Sequence, residues 1–479
     1  MVLEMGEGVT SAAVPSRLLR ILGVAFGLAV TVGGTVGVSI LRAPGPVAAR
    51  FEAPSVPLIM GVWLLGGLFI LISACSIAEL ATMLPQAGGY YVYTRRAFGD
   101  AVGFTAGWVD WLTQCAALAY LGMSMAEFSA ALWPALAHST KAGSTLLILA
   151  LAALQWNGTR INGRAQEIAS AVQACGFLLF VAACFAFGNP PAARAADRQS
   201  AVALWFPTML ALRLVIAAFD GWYCAIYFTE EVRNPGRDLP RSMLGGVVAV
   251  VAVYLLFNAA LLHVLPVSAL PGLTLPAADA AALLFGESER KLAILLCLIA
   301  LPAAFHSALL CATRIAFAMS RDSLFWVDAS SVNRRGTPGL ALALSALAAI
   351  LLSVSGTFEQ LLTWVGVLNV ATYCAALASL LTLRRREPRA VRPFSVQPYP
   401  WLTLLALAGG CLLLTGAAQG DPKSTFQALG LIVAAYPVYQ LSRWFRHITK
   451  EPYARETSQK SATSVRASPR LNRPNPNRK

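Results

Sequence analysis

The stretch "AAFDGWYCAIYFTEEVRNPGRDLPRS", Ala217 to Ser242, decides the fold. It begins inside an apolar run and ends in a cluster of charge and proline. An Asp-Gly pair, Asp220 and Gly221, stands where the run should be most apolar. A carboxylate at membrane depth is expensive and marks a functional position by default. Glycine inside a helix costs about 1 kcal/mol relative to alanine. The pair therefore reads as a deliberate interruption.

That the run is a membrane span follows from composition. The chain has 479 residues, 57% apolar and 13% charged, with mean hydropathy +0.63. Soluble domains carry roughly 45–50% apolar and about 25% charged residues. A spanning helix needs about 20 mostly apolar residues. That criterion predicts an all-α membrane protein with about twelve spans. They lie near 18–48, 57–84, 101–134, 142–158, 164–188, 204–230, 242–266, 290–320, 338–355, 359–384, 398–419 and 424–446. The segment "PVSALPGLTLPAADAAALLFGESE", between the seventh and eighth, holds no clear span.

The formal charge of +14 is mostly arginine. Arg95, Arg96, Arg160, Arg164, Arg233, Arg237, Arg241, Arg321, Arg334, Arg335 and the run Arg384 to Arg392 fall in alternate loops. This positive-inside pattern predicts a multi-pass protein with both termini cytoplasmic. The charge reads as topology and not as a nucleic-acid footprint. Residues 1–17 are a cytoplasmic N-terminus without a cleavable leader, and 18–447 form the spanning domain. Residues 448–479 read as a basic, disordered cytoplasmic tail. The nine cysteines all lie in apolar runs and read as small hydrophobes. No metal site or cofactor is implied.

The first span shares the irregularity of the sixth. It carries "TVGGTVGVSILRAPGP", Thr31 to Pro46. Glycine patches can serve close helix packing. Two interrupted spans five apart, however, point to an inverted-repeat transporter. The halves are about 18–188 and 204–384, a five-plus-five repeat with broken helices 1 and 6. Two extra helices follow at about 398–446.

Four segments then resemble the amino acid–polyamine–organocation permeases, nearest to bacterial amino acid permeases related to the L-type exchangers. They are "GVSILRAPG" (Gly37 to Gly45), "AELATMLPQAGGYYVYTRRAFG" (Ala78 to Gly99), the opening stretch, and "RIAFAMSRDSLFWVDASSVNRRGTP" (Arg314 to Pro338). The resemblance implies a secondary transporter that moves amino acids by proton symport or exchange. It further implies that the breaks hold the substrate. Amides of Val38 and Ser39 would face its carboxylate, with Gly37 permitting the break. Carbonyls of Thr35, Ala217 and Asp220 would face its ammonium, with Gly221 opening the sixth helix. Half-helix ends carry the partial charges this needs. Where many relatives have a gate aromatic, this chain has Ala217, so Phe219 or Trp222 are the candidate gates. Where many have a lysine in the fifth span, this chain has Gln173.

Coupling candidates are Asp220, His306 and Gln173. Asp220 could carry a proton or attract a cationic group; equally it could cap the break. His306 could titrate near neutrality or be a bonded core histidine. Arg42 could line a vestibule, and snorkelling to the interface is the preferred reading. Asn234-Pro235 and Leu239-Pro240 read as helix stops. Alternatives of other kinds are a polyamine or other amine transporter, or a transport-dead nutrient sensor. Four scattered histidines and the lack of a phosphate loop argue against an enzyme or an ATP-driven pump. Partners are the substrate, the bilayer and protons. Arginine-rich usage suggests a bacterial plasma membrane. Oligomeric state is not legible.

Overall fold

The computed structural model describes residues 18–134, 139–191, 201–286, 290–325, 327–420 and 422–443. The expected N-terminus 1–17 and tail 448–479 lie outside them. Among the described residues the regular structure is helical, apart from one parallel bridge between Leu22 and Val232. Eight helices are long and apolar enough to cross a membrane. Four shorter apolar helices, Thr140–Gln155, Leu204–Ala218, Pro276–Phe285 and Gly339–Ser355, accompany them.

The first apolar run is three helices in series: α1 (Val24–Thr35), α2 (Val38–Arg42) and α3 (Pro44–Ala48). Pro44 opens α3 at its first turn, where a missing N–H costs nothing. Then come α4 (Val56–Met83), α5 (Tyr90–Phe98), α6 (Asp100–Leu132), α7 (Thr140–Gln155) and α8 (Thr159–Phe187). The sixth run is α9 (Ala201–Ala218), an irregular segment, and a 3-10 turn at Cys224–Phe228. It leads to α10 (Pro235–Val264), α11 (Pro276–Phe285), α12 (Arg290–Arg321), α13 (Gly339–Ser355), α14 (Phe358–Arg386) and α15 (Trp401–Gly420). A helix over 422–443, α16, ends the described chain.

Two expectations are corrected. Pro235 does not stop a helix; it starts α10 at the first position, and Pro240 lies inside that helix. A proline just inside a helix start and one just past an end look alike in sequence. The segment read as a plain loop after the second span contains α5, whose Tyr90, Tyr91 and Tyr93 are buried. The segment between the seventh and eighth spans holds no helix of spanning length, in line with the expectation; its α11 has 10 residues.

Packing places the broken runs at the centre. α1 packs on α10, α8 and α12, while α6 packs on α12, α14 and α13. Large apolar side chains on the rim, such as Leu179 and Val433, stay more than two-thirds exposed, as expected of a lipid-facing surface.

Candidate functional site

The two interruptions abut. α1 stops at Thr35 because Val36 turns extended, with φ −71° and ψ 108°. Gly37 is also extended, at φ −141°. Any residue can adopt that backbone, and a Cβ there would meet only the Thr35 carbonyl oxygen, at 4.0 Å. Gly37 is thus tolerated by the break and not demanded by it. Gly221 is different. Its φ is +102°, and a Cβ would collide with the backbone of Gly34. Gly34 in turn leaves a Cβ only 3.0 Å from Cys224 Sγ. Glycine is required where the backbones of the two broken runs touch.

Two side chains tie the breaks together. Tyr254 on α10 directs its hydroxyl at the Thr35 carbonyl, 2.9 Å away, and the Ala218 carbonyl, 2.8 Å away. These are the carbonyls left without helical partners at the ends of α1 and α9. Gln173 on α8 donates to the Val36 carbonyl and, at 2.7 Å, to the Ala300 carbonyl on α12. It bridges the first break to α12, and both of its acceptors are backbone.

A cavity of about 460 Å³ lies against the breaks. That is within the roughly 300–1,000 Å³ of small-molecule sites. Of the expected binding residues, Thr35, Gly37, Val38, Ser39, Ala217, Asp220 and Gly221 all line it. Ser39 and Ala217 are exposed there. Phe219 and Trp222 do not line it. Phe219 is buried against Tyr254, with ring centroids 4.7 Å apart, and Trp222 against Tyr373 at 5.8 Å. They pack behind the wall, so the rings that meet the cavity are those of Tyr120, Tyr223 and Tyr373. A second hollow, of about 470 Å³ beside Arg237 and Phe394, is shallow, open and remote from the breaks.

Asp220 faces the cavity and is held from α14. Tyr373 donates to one carboxylate oxygen at 2.5 Å and the Asn369 amide to the other at 2.8 Å. The Tyr223 hydroxyl donates to the Asn369 carbonyl oxygen at 3.1 Å, and Gln114 donates to Tyr223 at 3.3 Å. On α6, buried Asp110 accepts from Tyr227 at 2.8 Å. His306 is away from the cavity, its Nδ1 2.9 Å from the Gln166 Oε1 atom. Its neighbour Ser307 does reach the wall. Arg42 lines the cavity, against the snorkelling expectation, with its guanidinium 5.3 Å from the Phe128 ring. Among the described residues no group of three or more His, Cys, Asp or Glu side chains could hold a metal ion.

Tyr90 packs on Tyr223, Tyr227 and Tyr373 with centroids 5.5, 6.2 and 5.8 Å apart. Beyond them lies a layer of ion pairs. Glu231 and Arg314 are buried and 2.9 Å apart. Glu230 meets Arg321 at 2.7 Å and accepts from the Ala87 amide. Arg95 pairs with Asp322 at 2.5 Å. Burial and that same carboxylate raise the Tyr91 phenol far above its usual range, so it remains a donor to Asp322. Glu79 is fully buried between Arg384 and Arg392.

Sequence reading missed Arg213, Tyr254, Asn369 and Tyr373. Arginine and asparagine inside apolar runs are signals that could have found Arg213 and Asn369. A tyrosine in such a run reads as core, so nothing singled out Tyr254 or Tyr373.

Comparisons agree over most of the chain. The family model described as "Amino acid permease" matches residues 19–438. The serine/threonine exchanger SteT of Bacillus subtilis is 28% identical over 432 residues, covering 88% of this chain and 96% of its own length. The human large neutral amino acids transporter small subunit 2 is 26% identical, covering 93% of this chain and 84% of its own. The branched-chain amino acid permease BcaP of Lactococcus lactis is 24% identical, covering 81% and 88%.

Proposed function

The chain belongs to the amino acid permease family, and on that premise we propose that it is a secondary transporter exchanging amino acids by alternating access. It is a multi-pass membrane transporter and not an enzyme. The observation that carries the finer reading is the meeting of two broken helices on the wall of one cavity. The ends of α1 and α9 present carbonyls, and the start of α2 presents the amides of Val38 and Ser39. A zwitterion matches that pair of opposite partial charges without burying a net charge. In this reading the twelve helical runs form a five-plus-five inverted repeat plus two. Both termini are cytoplasmic, in a bacterial plasma membrane. The tyrosine and ion-pair layer is then the closed cytoplasmic gate, and the cavity opens outward.

Exchange is favoured over ion coupling by Gln173. It fills the space between the first break and α12 with a neutral amide bonded to both carbonyls. No charge there is available to be displaced by a driving cation. Asp220 supports a second reading, proton symport, because it is a carboxylate on the cavity wall.

Thermal melting of the detergent-solubilised protein with each of the twenty amino acids tests the site. The amino acid that raises the melting temperature should do so far more than its amide or its N-acetyl derivative, since each lacks one half of the zwitterion. Equal shifts from all three would exclude the two-ended site.

A further inference from the structure

The hollow beside Arg237 and Phe394 lies on α10, apart from the cavity at the breaks. Arg237 and Arg241 border it with Pro240, Leu244 and Gly245, and Phe394 reaches it from the linker ahead of α15. That linker runs close to the helix, since a Cβ on Gly236 would stand 2.9 Å from Pro393 Cβ. Both arginines are exposed, and among the described residues neither has an ion pair or a side-chain hydrogen bond. Asp238, the acid of the same first turn, is half-buried and pairs with neither. Arg314 and Arg384, by contrast, are matched to Glu231 and Glu79.

The surface that continues from the two arginines is apolar. Arg237, Arg241, Gly245, Val248 and Ala252 are all exposed. At about 3.6 residues per turn, their spacing puts them on one face of α10. From Arg241 to Ala252 that face is about 16 Å long, one leaflet of a hydrocarbon core about 30 Å thick. α10 is long and apolar enough to cross the membrane, so this face meets lipid. Guanidinium groups match a phosphate in both charge and fork geometry. Gly245 and Ala252 carry little side chain to occupy the face beneath them. A basic pair above an apolar stripe of one-leaflet length fits a single phospholipid.

We propose that Arg237 and Arg241 form a binding site for an anionic phospholipid, whose phosphate lies between the two guanidinium groups and whose acyl chain follows Gly245, Val248 and Ala252. In the orientation proposed above this is the cytoplasmic leaflet, where anionic lipids supply the matching charge. The site is separate from the cavity at the breaks and does not depend on what that cavity binds. A free phosphate shares the headgroup chemistry, and the apolar stripe is what favours the lipid.

The test is native mass spectrometry of the full chain in detergent, titrated with dioleoyl phosphatidylglycerol or dioleoyl phosphatidylcholine. The first phosphatidylglycerol should bind about tenfold or more tightly than phosphatidylcholine, and Arg237→Gln with Arg241→Gln should remove most of that preference. Arg160→Gln with Arg164→Gln, an exposed pair of the same spacing at the start of α8, should leave it intact. Neither inorganic phosphate nor glycerol phosphate at the lipid's own concentration should displace the lipid. Equal binding of the two lipids would overturn the proposal. So would equal losses from the two double variants, which would show attraction to positive charge in general. Displacement by phosphate or glycerol phosphate would make this a free-anion site and overturn the lipid assignment. The comparison of the two lipids on the unmodified chain decides even where a variant fails to fold.

Discussion

At the scale of single residues, Gly221 and Asp220 answer for the irregularity of the sixth apolar run. Gly221 is held at positive φ with the Gly34 backbone against the place a side chain would fill. Gly221→Ala should therefore separate the two breaks. Strain at such a position costs about 1–3 kcal/mol before the collision is counted. The expected outcome is a lower melting temperature and transport reduced to background, read by uptake in proteoliposomes. Gly37→Ala should be milder in both measurements, because its backbone is extended and its surroundings are open. Equal damage from the two variants would contradict this ranking. Asp220→Asn keeps the shape and removes the charge. If exchange is the mechanism, exchange persists at reduced rate. Loss of a pH-gradient-driven component in that variant, with exchange retained, would establish the symport reading instead. Gly221 and Asp220 are legible in sequence because both are out of place in an apolar run. The demand for glycine at Gly221 and not at Gly37 is not legible, since sequence does not reveal which glycine has the positive φ.

At the scale of elements, the breaks are stabilised from outside. Tyr254 on α10 holds its one hydroxyl proton between carbonyls from two helix ends, 2.9 and 2.8 Å away. Tyr254→Phe leaves those buried acceptors without it, at about 1–3 kcal/mol. It should lower the melting temperature and slow exchange, and an unchanged protein would remove Tyr254 from the account. The gate layer makes a second prediction. Glu231 and Arg314 are almost wholly buried. Removing one partner of such a pair strands a charge and costs about 3–5 kcal/mol, whereas replacing both with apolar residues is often neutral. Arg314→Met alone should destabilise strongly, and Glu231→Leu with Arg314→Met should recover most of the loss in a double-mutant cycle. A double variant as unstable as the single would contradict this. The positions of the long helices are legible because each is an apolar run of spanning length. The pairing of α10 and α4, and the aromatic packing that hides Phe219 and Trp222, are not. Those depend on which helix lies beside which, and a single chain carries no local signal of that. Pro235 misleads for a related reason, because only the long apolar run after it reveals that it opens a helix.

At the scale of the whole molecule, the broken helices, the cavity and the tyrosine and ion-pair layer form one arrangement. The breaks supply opposite partial charges, the wall carries Arg42, Arg213 and Asp220, and Tyr90 packs on the lining Tyr223 and Tyr373. In the proposed reading two gates surround a fixed site, and the tyrosine and ion-pair layer is one of them, its pairs joining different segments of the chain. The direct measurement is uptake of labelled amino acids into proteoliposomes of the purified chain, loaded or not loaded with unlabelled amino acid, with and without an inward proton gradient. Uptake should require internal amino acid, be insensitive to the gradient and be lost in Gly221→Ala. Background uptake of all twenty amino acids under every condition would contradict it.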